Sequence, residues 1–476
     1  MSQCCGSRRK KEFHLIILGG GSAAFSAALK TSELGGKATI INAGLPIGGT
    51  CVNVGCVPSK NLIRAAEYHY HANHSPFQGI RAQSKVEDFK ALMSEKENLV
   101  LSLRQAKYLD VIQGNSRIQI IEGWGRLVNP NTVEVNGDNI SGDGILIATG
   151  ASPYIPPIPG IDKVPYLTNE DLFQLGELPE SMIVLGGRYI ALESAQTFGR
   201  FGTKITILQR SSRILPQESA DITHLLTQYM EEEGISVITG VQFQEVSQKG
   251  ENIQVKALVN GKEKLFEAEK LLVCTGRKAN TKGMGLEELG IERDHKGFLK
   301  VNEFGQTSVK GVYGAGDVIG EPMYVYTAAY EGALVAENAI KGKQRAFDYS
   351  VLPWVIFTDP QVAGIGMDEK EAQEKSIPFE VSKLPLTYVP RAIAARSTKG
   401  FIKILRNPET DLILGARILA PEGAELLMEL AMAMKYNIPT KEVMSLFHPY
   451  LTLSEGIKLS LISFGKDINK LSCCAS

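Results

Sequence analysis

No run of about 18 apolar residues occurs anywhere in this sequence, which argues against a membrane-spanning helix. Residues 1–11 are polar and basic with no apolar stretch behind them, which argues against a signal peptide. Charge of neither sign is in excess: 51 Lys and Arg against 52 Asp and Glu leave a net charge of -1. Such a balance supplies no footprint for nucleic acid or an anionic membrane surface, so the expected partner is a small molecule and the expected location the cytoplasm. Seven cysteines are too few for a secreted disulfide framework, and their placement is uneven: Cys4-Cys5, Cys51 and Cys56, Cys274 alone, and Cys473-Cys474. Paired thiols in a reducing compartment point to redox or metal chemistry. Low-complexity tracts are missing as well, and 476 residues are too many for one core, so two to four structural units are expected.

What is present is a repeated grammar. A short apolar strand at His14 to Leu18 runs into Gly19-Gly20-Gly21-Ser22-Ala23-Ala24, then a helical stretch from Phe25 to Leu34 and a second strand from Ala38 to Ile41. The same order recurs at Ser181 to Leu185, Gly186-Gly187-Arg188-Tyr189-Ile190-Ala191, a helix through Phe198, and a strand at Lys204 to Leu208. Each is a β-turn-α-β unit of dinucleotide-binding type, about 165 residues apart by this pattern. The run Ile145 to Ala148 ends in Thr149-Gly150, and the Pro-rich stretch from Pro153 to Pro165 reads as a linker into the second unit. Leu271 to Val273, and Val312 to Gly316 with Asp317, read as strand ends that return the chain toward the first unit. After about residue 345 alternating strands and a final helical region suit a separate C-terminal domain.

A glycine turn between strand and helix lets the backbone approach a pyrophosphate and aims helix N-terminal N–H groups at it, so two such turns imply two dinucleotides. At the end of the second strand an acidic residue normally bonds the ribose; Asn42 stands there in the first unit and accepts one hydrogen bond without the charge. In the second unit the corresponding stretch is Gln209-Arg210-Ser211-Ser212-Arg213, with no carboxylate and two guanidinium groups suited to a phosphate, which favours NADPH over NADH. Between the units lies Gly48 to Lys60, in which Cys51 and Cys56 sit where a helix opens. The positive end of a helix favours the thiolate, and Gly55 permits the turn that brings the sulfurs together.

That segment resembles the active-site region of the FAD-containing pyridine nucleotide-disulfide oxidoreductases, and nearly the whole chain follows that family's order; Thr307 through Asp317 is similar to its second flavin motif. The resemblance implies an α/β fold with two Rossmann-like dinucleotide-binding domains, for FAD and NADPH, and a C-terminal α+β dimerisation domain. The expected division is a tail at 1–12, an FAD domain at 13–150 resumed at 276–345, an NADPH domain at 151–275, and a dimerisation domain with a Cys-Cys tail at 346–476. It also implies that Cys51 is the interchange thiol, that Cys56 lies against the flavin, that Lys60 pairs with Glu193 near it, and that Tyr189 covers it until the nicotinamide arrives. By the same resemblance FAD is held by Gly19, Gly21, Ala23, Ala24, Asn42, Gly44, Gly49, Thr50, Lys60, Thr149, Gly150, Ala151, Asp317 and Val325. NADPH is held by Gly186, Arg188, Ala191, Arg210, Arg213 and Gly276.

The C-terminal stretch narrows the branch. Disulfide-reducing relatives carry a His-Pro-Thr followed by a glutamate, whose histidine protonates the departing thiol. Here the run is Phe447-His448-Pro449-Tyr450-Leu451-Thr452-Leu453-Ser454-Glu455. Alignment on Leu453-Ser454-Glu455 gives the histidine's place to Tyr450 and is preferred; alignment on His448-Pro449 keeps the histidine with two extra residues before Glu455. With Asn53-Val54 between the thiols and Leu471 to Ser476 at the end, this run is similar to the branch of the family that reduces thiol-bound Hg(II). A soft ion prefers thiolates, and two thiol pairs offer a capture site and a reduction site. The resemblance then makes Cys473 and Cys474 of one subunit the donors of Hg(II) to Cys51 and Cys56 of the partner in a homodimer, with Tyr189, Tyr450 and Glu455 assisting. Two rivals stay open: a disulfide reductase of the dihydrolipoamide dehydrogenase or thioredoxin reductase kind, and a non-catalytic flavin-bound thiol sensor or soft-metal binder. Cys4-Cys5 reads as part of a disordered tail and Cys274 as a small buried residue. His69, His71 and His74 do not share a helix face and read as solvated surface.

Overall fold

The computed structural model describes residues 12–342 and 345–470. Among these residues the chain divides into two compact units, passing from the first to the second after Ser59, Ile155 and Phe347 and back to the first after Lys90 and Thr275.

The first unit is built on a five-stranded parallel sheet in the order Val312–Gly314, Gly144–Ile147, His14–Leu18, Lys37–Asn42, Ile118–Glu122. Alternation along the first strand sorts its side chains to two faces: Leu15 and Ile17 pack with Ala24, Ala27 and Ala28 of helix Ser22–Glu33, while Ile16 and Leu18 pack with Val133, Ile145 and Ile147. Both faces are therefore covered, as a parallel sheet requires. Leu18 is registered against Ile41 on one side and Ile147 on the other, which brings the strand ends carrying Gly19, Asn42 and Ala148 level.

In the second unit the order is Ser236–Ile238, Lys204–Leu208, Ser181–Leu185, Lys270–Val273, Tyr166–Leu167, again parallel. Leu271 to Val273 pairs with Ile183 to Leu185 in the second sheet, its uninterrupted apolar run fitting a strand buried on both faces, and the chain passes to the first unit just after it, at Gly276. Only Val312–Gly314 rejoins the first sheet, beside Ile145 to Ile147. The C-terminal part of the second unit is a five-stranded antiparallel sheet ordered Trp354–Ile356, Gln361–Gly366, Ile413–Ala420, Phe401–Arg406, Glu380–Pro385. Helices Leu427–Lys435, Thr440–Ser445 and Glu455–Ile462 contribute to its core through Leu430, Val443, Ile457 and Leu461.

Two buried guanidinium groups and three carboxylates tie the second unit internally. Arg200 donates to both oxygens of Glu233 at 2.8 and 2.7 Å and to Asp359 at 3.0 Å, and Glu218 accepts from Arg417 at 3.0 Å. Removing one partner from such a pair strands the other charge in the interior, at a cost of about 3–5 kcal/mol. Among the described residues no helix is long and apolar enough to cross a membrane.

Candidate active site

Cys51 lies in the short helix Gly49–Val54, and Cys56 opens the long helix Cys56–Asn73. The break between them falls at Gly55: a Cβ there would stand 2.9 Å from the Thr50 carbonyl oxygen and 3.4 Å from Cys51 Cα, so only glycine lets the chain fold back this tightly. Both cysteines are partly exposed. Asn53, between them, is buried and directs its carboxamide nitrogen to the carbonyls of Pro46, Ile47 and Gly49 at 2.9, 3.2 and 2.9 Å, so the polar backbone of the loop is satisfied from within. Lys60 stands one turn beyond Cys56 on the same helix.

Two glycine turns have the geometry a pyrophosphate needs. Gly19 and Gly186 both sit at positive φ, +117° and +116°, where a Cβ would press to 2.2 Å from the Ala148 carbonyl oxygen and 2.4 Å from that of Cys274. Each turn opens a helix with no side-chain cap: Ser22–Glu33 starts from Gly21, and Tyr189–Phe201 from Arg188. Their first N–H groups thus point outward with no carboxylate in the first turn, the arrangement that suits a phosphate. Gly49 approaches Gly21 so closely that its Cβ would lie 2.7 Å from Gly21 Cα, which sets the thiol loop against the first turn.

The residues present also fit a polyhydroxylated flavin side chain. Asp317 follows Gly316 at φ +77°, and Gly316 N donates to the buried Glu331 at 2.7 Å. Burial pushes the Asp317 carboxyl above its usual range, with Arg277 offsetting part of that rise. Arg277 Nε is buried without a hydrogen-bond partner and stands 3.6 Å from Asp317, too far for one. A hydroxyl that accepts from the guanidinium and donates to the carboxylate suits both. Nearby Thr149 Oγ1 donates to the Asn280 carbonyl at 2.7 Å and Gly150 adopts φ +67°, while Ala151 opens strand Ala151–Pro153. Val325 opens helix Val325–Lys341, Gly44 sits at φ +81°, and Ala23 and Ala24 are buried in the helix after the first turn.

Asn42 is buried, with its oxygen under Gly20 and its nitrogen donating to Leu45 O at 3.2 Å and Glu122 at 3.0 Å. The carboxylate at this strand end therefore comes from the neighbouring strand.

In the second unit Lys60 donates to Glu193 at 2.7 Å and lies 4.6 Å over the Phe357 ring, while the other oxygen of the buried Glu193 accepts from Phe357 N at 3.0 Å. Tyr189 is parallel to Trp354, with ring centroids 6.2 Å apart and 8° between planes, and the Arg417 guanidinium lies 5.5 Å from Trp354. Arg210 is exposed at the strand end, Arg213 bonds Pro216 O at 3.1 Å, Ala191 is buried in the helix after the turn, and Gly276 takes φ +132°.

Near the C-terminus, His448 Nε2 pairs with Glu429 at 2.7 Å with its side chain 6% exposed. Tyr450 is exposed, and buried Glu455 accepts from Leu451 N at 3.2 Å rather than from a histidine. Cys473 and Cys474 lie outside the described residues, as do Cys4 and Cys5. The three helix histidines separate: His69 bonds Ser84 at 2.8 Å, His74 bonds Tyr70 O at 2.8 Å, and His71 pairs with Asp359 at 2.9 Å. His71 is thus an ion-pair partner rather than plain solvated surface. Burial of its sulfur pushes the Cys274 thiol up to about 12, although the residue keeps some exposed surface. Arg277, Glu331, Trp354 and Glu429 escape a sequence reading, since their partners lie tens or hundreds of positions away and no short motif contains them.

The first 320 residues of this architecture, 13–332, match the family model described as pyridine nucleotide-disulphide oxidoreductase, and residues 352–461 match that family's dimerisation domain. The chain belongs to the pyridine nucleotide-disulphide oxidoreductases, enzymes that use FAD and NAD(P)H. Within them it is 40% identical over 467 residues to mercuric reductase from Staphylococcus aureus, covering 98% of this chain and 85% of that one. It is 37% identical to mercuric reductase from Streptomyces lividans, covering 97% of this chain and 98% of the other. Among solved structures it resembles the HOCl-induced flavoprotein disulfide reductase RclA from Escherichia coli, with a TM-score of 0.85 and 28% identity over 95% of this chain and 100% of that one.

Proposed function

We propose that this chain is a cytoplasmic mercuric reductase, which reduces thiol-bound Hg(II) to Hg(0) at the expense of NADPH. The geometric observation that carries the reading is the state of the C-terminal acid. A disulfide reductase must protonate a leaving thiol. His448 is paired with Glu429, and Glu455 accepts the Leu451 backbone N–H, so among the described residues the glutamate of the C-terminal motif holds no histidine for that task. Hg(II) bound by two sulfurs requires no proton to be reduced. The identity of about 40% to named mercuric reductases across 98% of the chain points the same way.

When bound, NADPH supplies a hydride and FAD relays its electron pair. The chain's own residues do the rest. Cys51 and Cys56 offer two thiolates to a soft ion that prefers sulfur. Hg(II) gains two electrons, both Hg–S bonds break, the sulfurs return to thiolate, and neutral Hg(0) leaves. Tyr450 would stand where a disulfide reductase has its acid, and Cys473 and Cys474 would pass Hg(II) to the partner subunit's thiols. Exposed Met428, Met432, Tyr436 and Phe447 form the kind of apolar surface a homodimer covers. Domain limits near 150, 275 and 345 are supported by the changes of compact unit after Ile155, Thr275 and Phe347. A preference for NADPH over NADH is supported by Arg210 and Arg213 beside a strand end without a carboxylate.

The test is NADPH oxidation by the FAD-loaded protein with Hg(II) in excess small-molecule thiol, set against oxidised glutathione, lipoamide and thioredoxin. Turnover confined to Hg(II), weakened in Cys473→Ala/Cys474→Ala, is expected; turnover on a disulfide with Hg(II) acting only as inhibitor would refute the reading.

A further inference from the structure

The thiol loop is held by a residue far away in sequence. Asn53 makes three donor contacts with one carboxamide nitrogen, which has only two hydrogens, so at least one is shared and the amide must be held in plane to serve all three carbonyls. Its oxygen accepts from Arg104 Nη1 at 3.0 Å. Arg104 is the last residue of helix Phe89–Arg104 and is followed at once by a π-helical turn, Gln105–Leu109. Such turns are rare and collect at functional sites, because the extra residue redirects the side chains that follow. Here the turn delivers Tyr108 to the same loop: its ring lies 3.3 Å from the Cβ that Gly48 lacks, its hydroxyl is 3.4 Å from Ser22 Oγ, and its edge meets Phe25 with centroids 5.0 Å apart. Burial chiefly raises the Tyr108 hydroxyl's pKa, and nearby Cys51 and Cys56 add to the rise, which places the phenol within electrostatic reach of both sulfurs.

We propose that Arg104, acting through its hydrogen bond to Asn53, is a positioning residue that holds Cys51 and Cys56 at the separation from which they close to a disulfide and open again. The rest of the clamp is Tyr108 against Gly48. The inference concerns the thiol pair of the site above and stands whether that site reduces Hg(II) or a disulfide. The reaction that reports it is exchange with glutathione: the two thiols and one oxidised glutathione give the Cys51–Cys56 disulfide and two reduced glutathiones. The two cysteine sulfurs are oxidised, the two glutathione sulfurs are reduced, and the two cysteine protons leave with them.

The equilibrium constant is read on the folded, FAD-loaded protein by differential alkylation and mass spectrometry of the peptide carrying both cysteines, which separates them from the other five. Arg104→Met is expected to lower it about tenfold, the effect of losing part of the proximity advantage, equivalent to ~30 mV. Arg104→Gln keeps a donor for Asn53 without the charge and is expected to restore most of the wild-type value. Asn53→Asp, which turns the three donor contacts into repulsions, should shift the equilibrium at least as far as Arg104→Met. Wild-type equilibria in both Arg104→Met and Asn53→Asp would overturn the proposal, as would a shift in Arg104→Gln as large as that in Arg104→Met. Should Arg104→Met lose its FAD or its thermal transition, Arg104→Gln and Asn53→Asp carry the decision. A shifted equilibrium with no Hg(II) turnover would leave this inference intact while refuting the function proposed above.

Discussion

At the scale of single residues the sulfurs are sorted by their surroundings. Cys51 and Cys56 keep partly exposed positions at a helix break, whereas burial raises the Cys274 thiol to about 12. Iodoacetamide at pH 8 is therefore expected to label the reduced active-site pair while leaving Cys274 untouched until the protein is denatured, as peptide mass mapping will read. Labelling of Cys274 in the native enzyme at a comparable rate would contradict this. The stack of Tyr189 on Trp354 carries a second expectation. An aromatic pair contributes about 0.5–1.5 kcal/mol beyond its area, so Trp354→Ala should change KM for NADPH about threefold with kcat little altered, and Trp354→Phe should return it to near wild type. Equal effects of Ala and Phe would assign the change to packing instead. The thiols, the glycines and Tyr189 could be named from sequence because each stands in a short motif. Trp354 could not: it meets Tyr189 across 165 positions, and only the fold makes them neighbours.

Helices and strands show the same division between what is local and what is not. The strands His14–Leu18, Ser181–Leu185 and Lys204–Leu208 end where apolar runs and glycines say they should. The helix expected from Phe25 begins three residues earlier, at Ser22, since Ser22, Ala23 and Ala24 follow the glycines directly and read as part of the turn. Missed altogether was the π-helical turn at Gln105–Leu109, for such a bulge leaves no periodic trace. The helix Cys56–Asn73 also carries a titrating contact that spacing alone concealed. A hydrogen bond to Asp359 raises the His71 pKa against the opposing effect of burial. Burial alone would raise the Asp359 pKa, but His71 and Arg200 hold it below its usual range. Because the folded-state pKa of His71 lies above its unfolded value, its contribution is full below about pH 6.5 and fades as pH rises through the folded-state value. His71→Asn should therefore lower the thermal midpoint at pH 6 and have little effect at pH 9. His71 is largely exposed, so the loss will be modest, and a loss that grows with pH would reverse the assignment.

Over the whole molecule, two parallel sheets with uncapped helices at their glycine turns and an antiparallel sheet with helices around it make a flavin and nicotinamide enzyme, and that much followed from repeated local grammar. The substrate did not follow from the fold, since a disulfide reductase shares it with a TM-score of 0.85. It rests instead on a few residues: two thiols, a tethered histidine, an exposed tyrosine and a cysteine pair outside the described residues. The most direct measurement is a mass balance. FAD-loaded protein is given NADPH and Hg(II) in excess thiol in a closed vessel, and the elemental mercury swept from the headspace is counted against NADPH consumed. One Hg(0) released per NADPH oxidised is the expected result. NADPH consumption without mercury vapour, or mercury held stoichiometrically without turnover, would contradict the account.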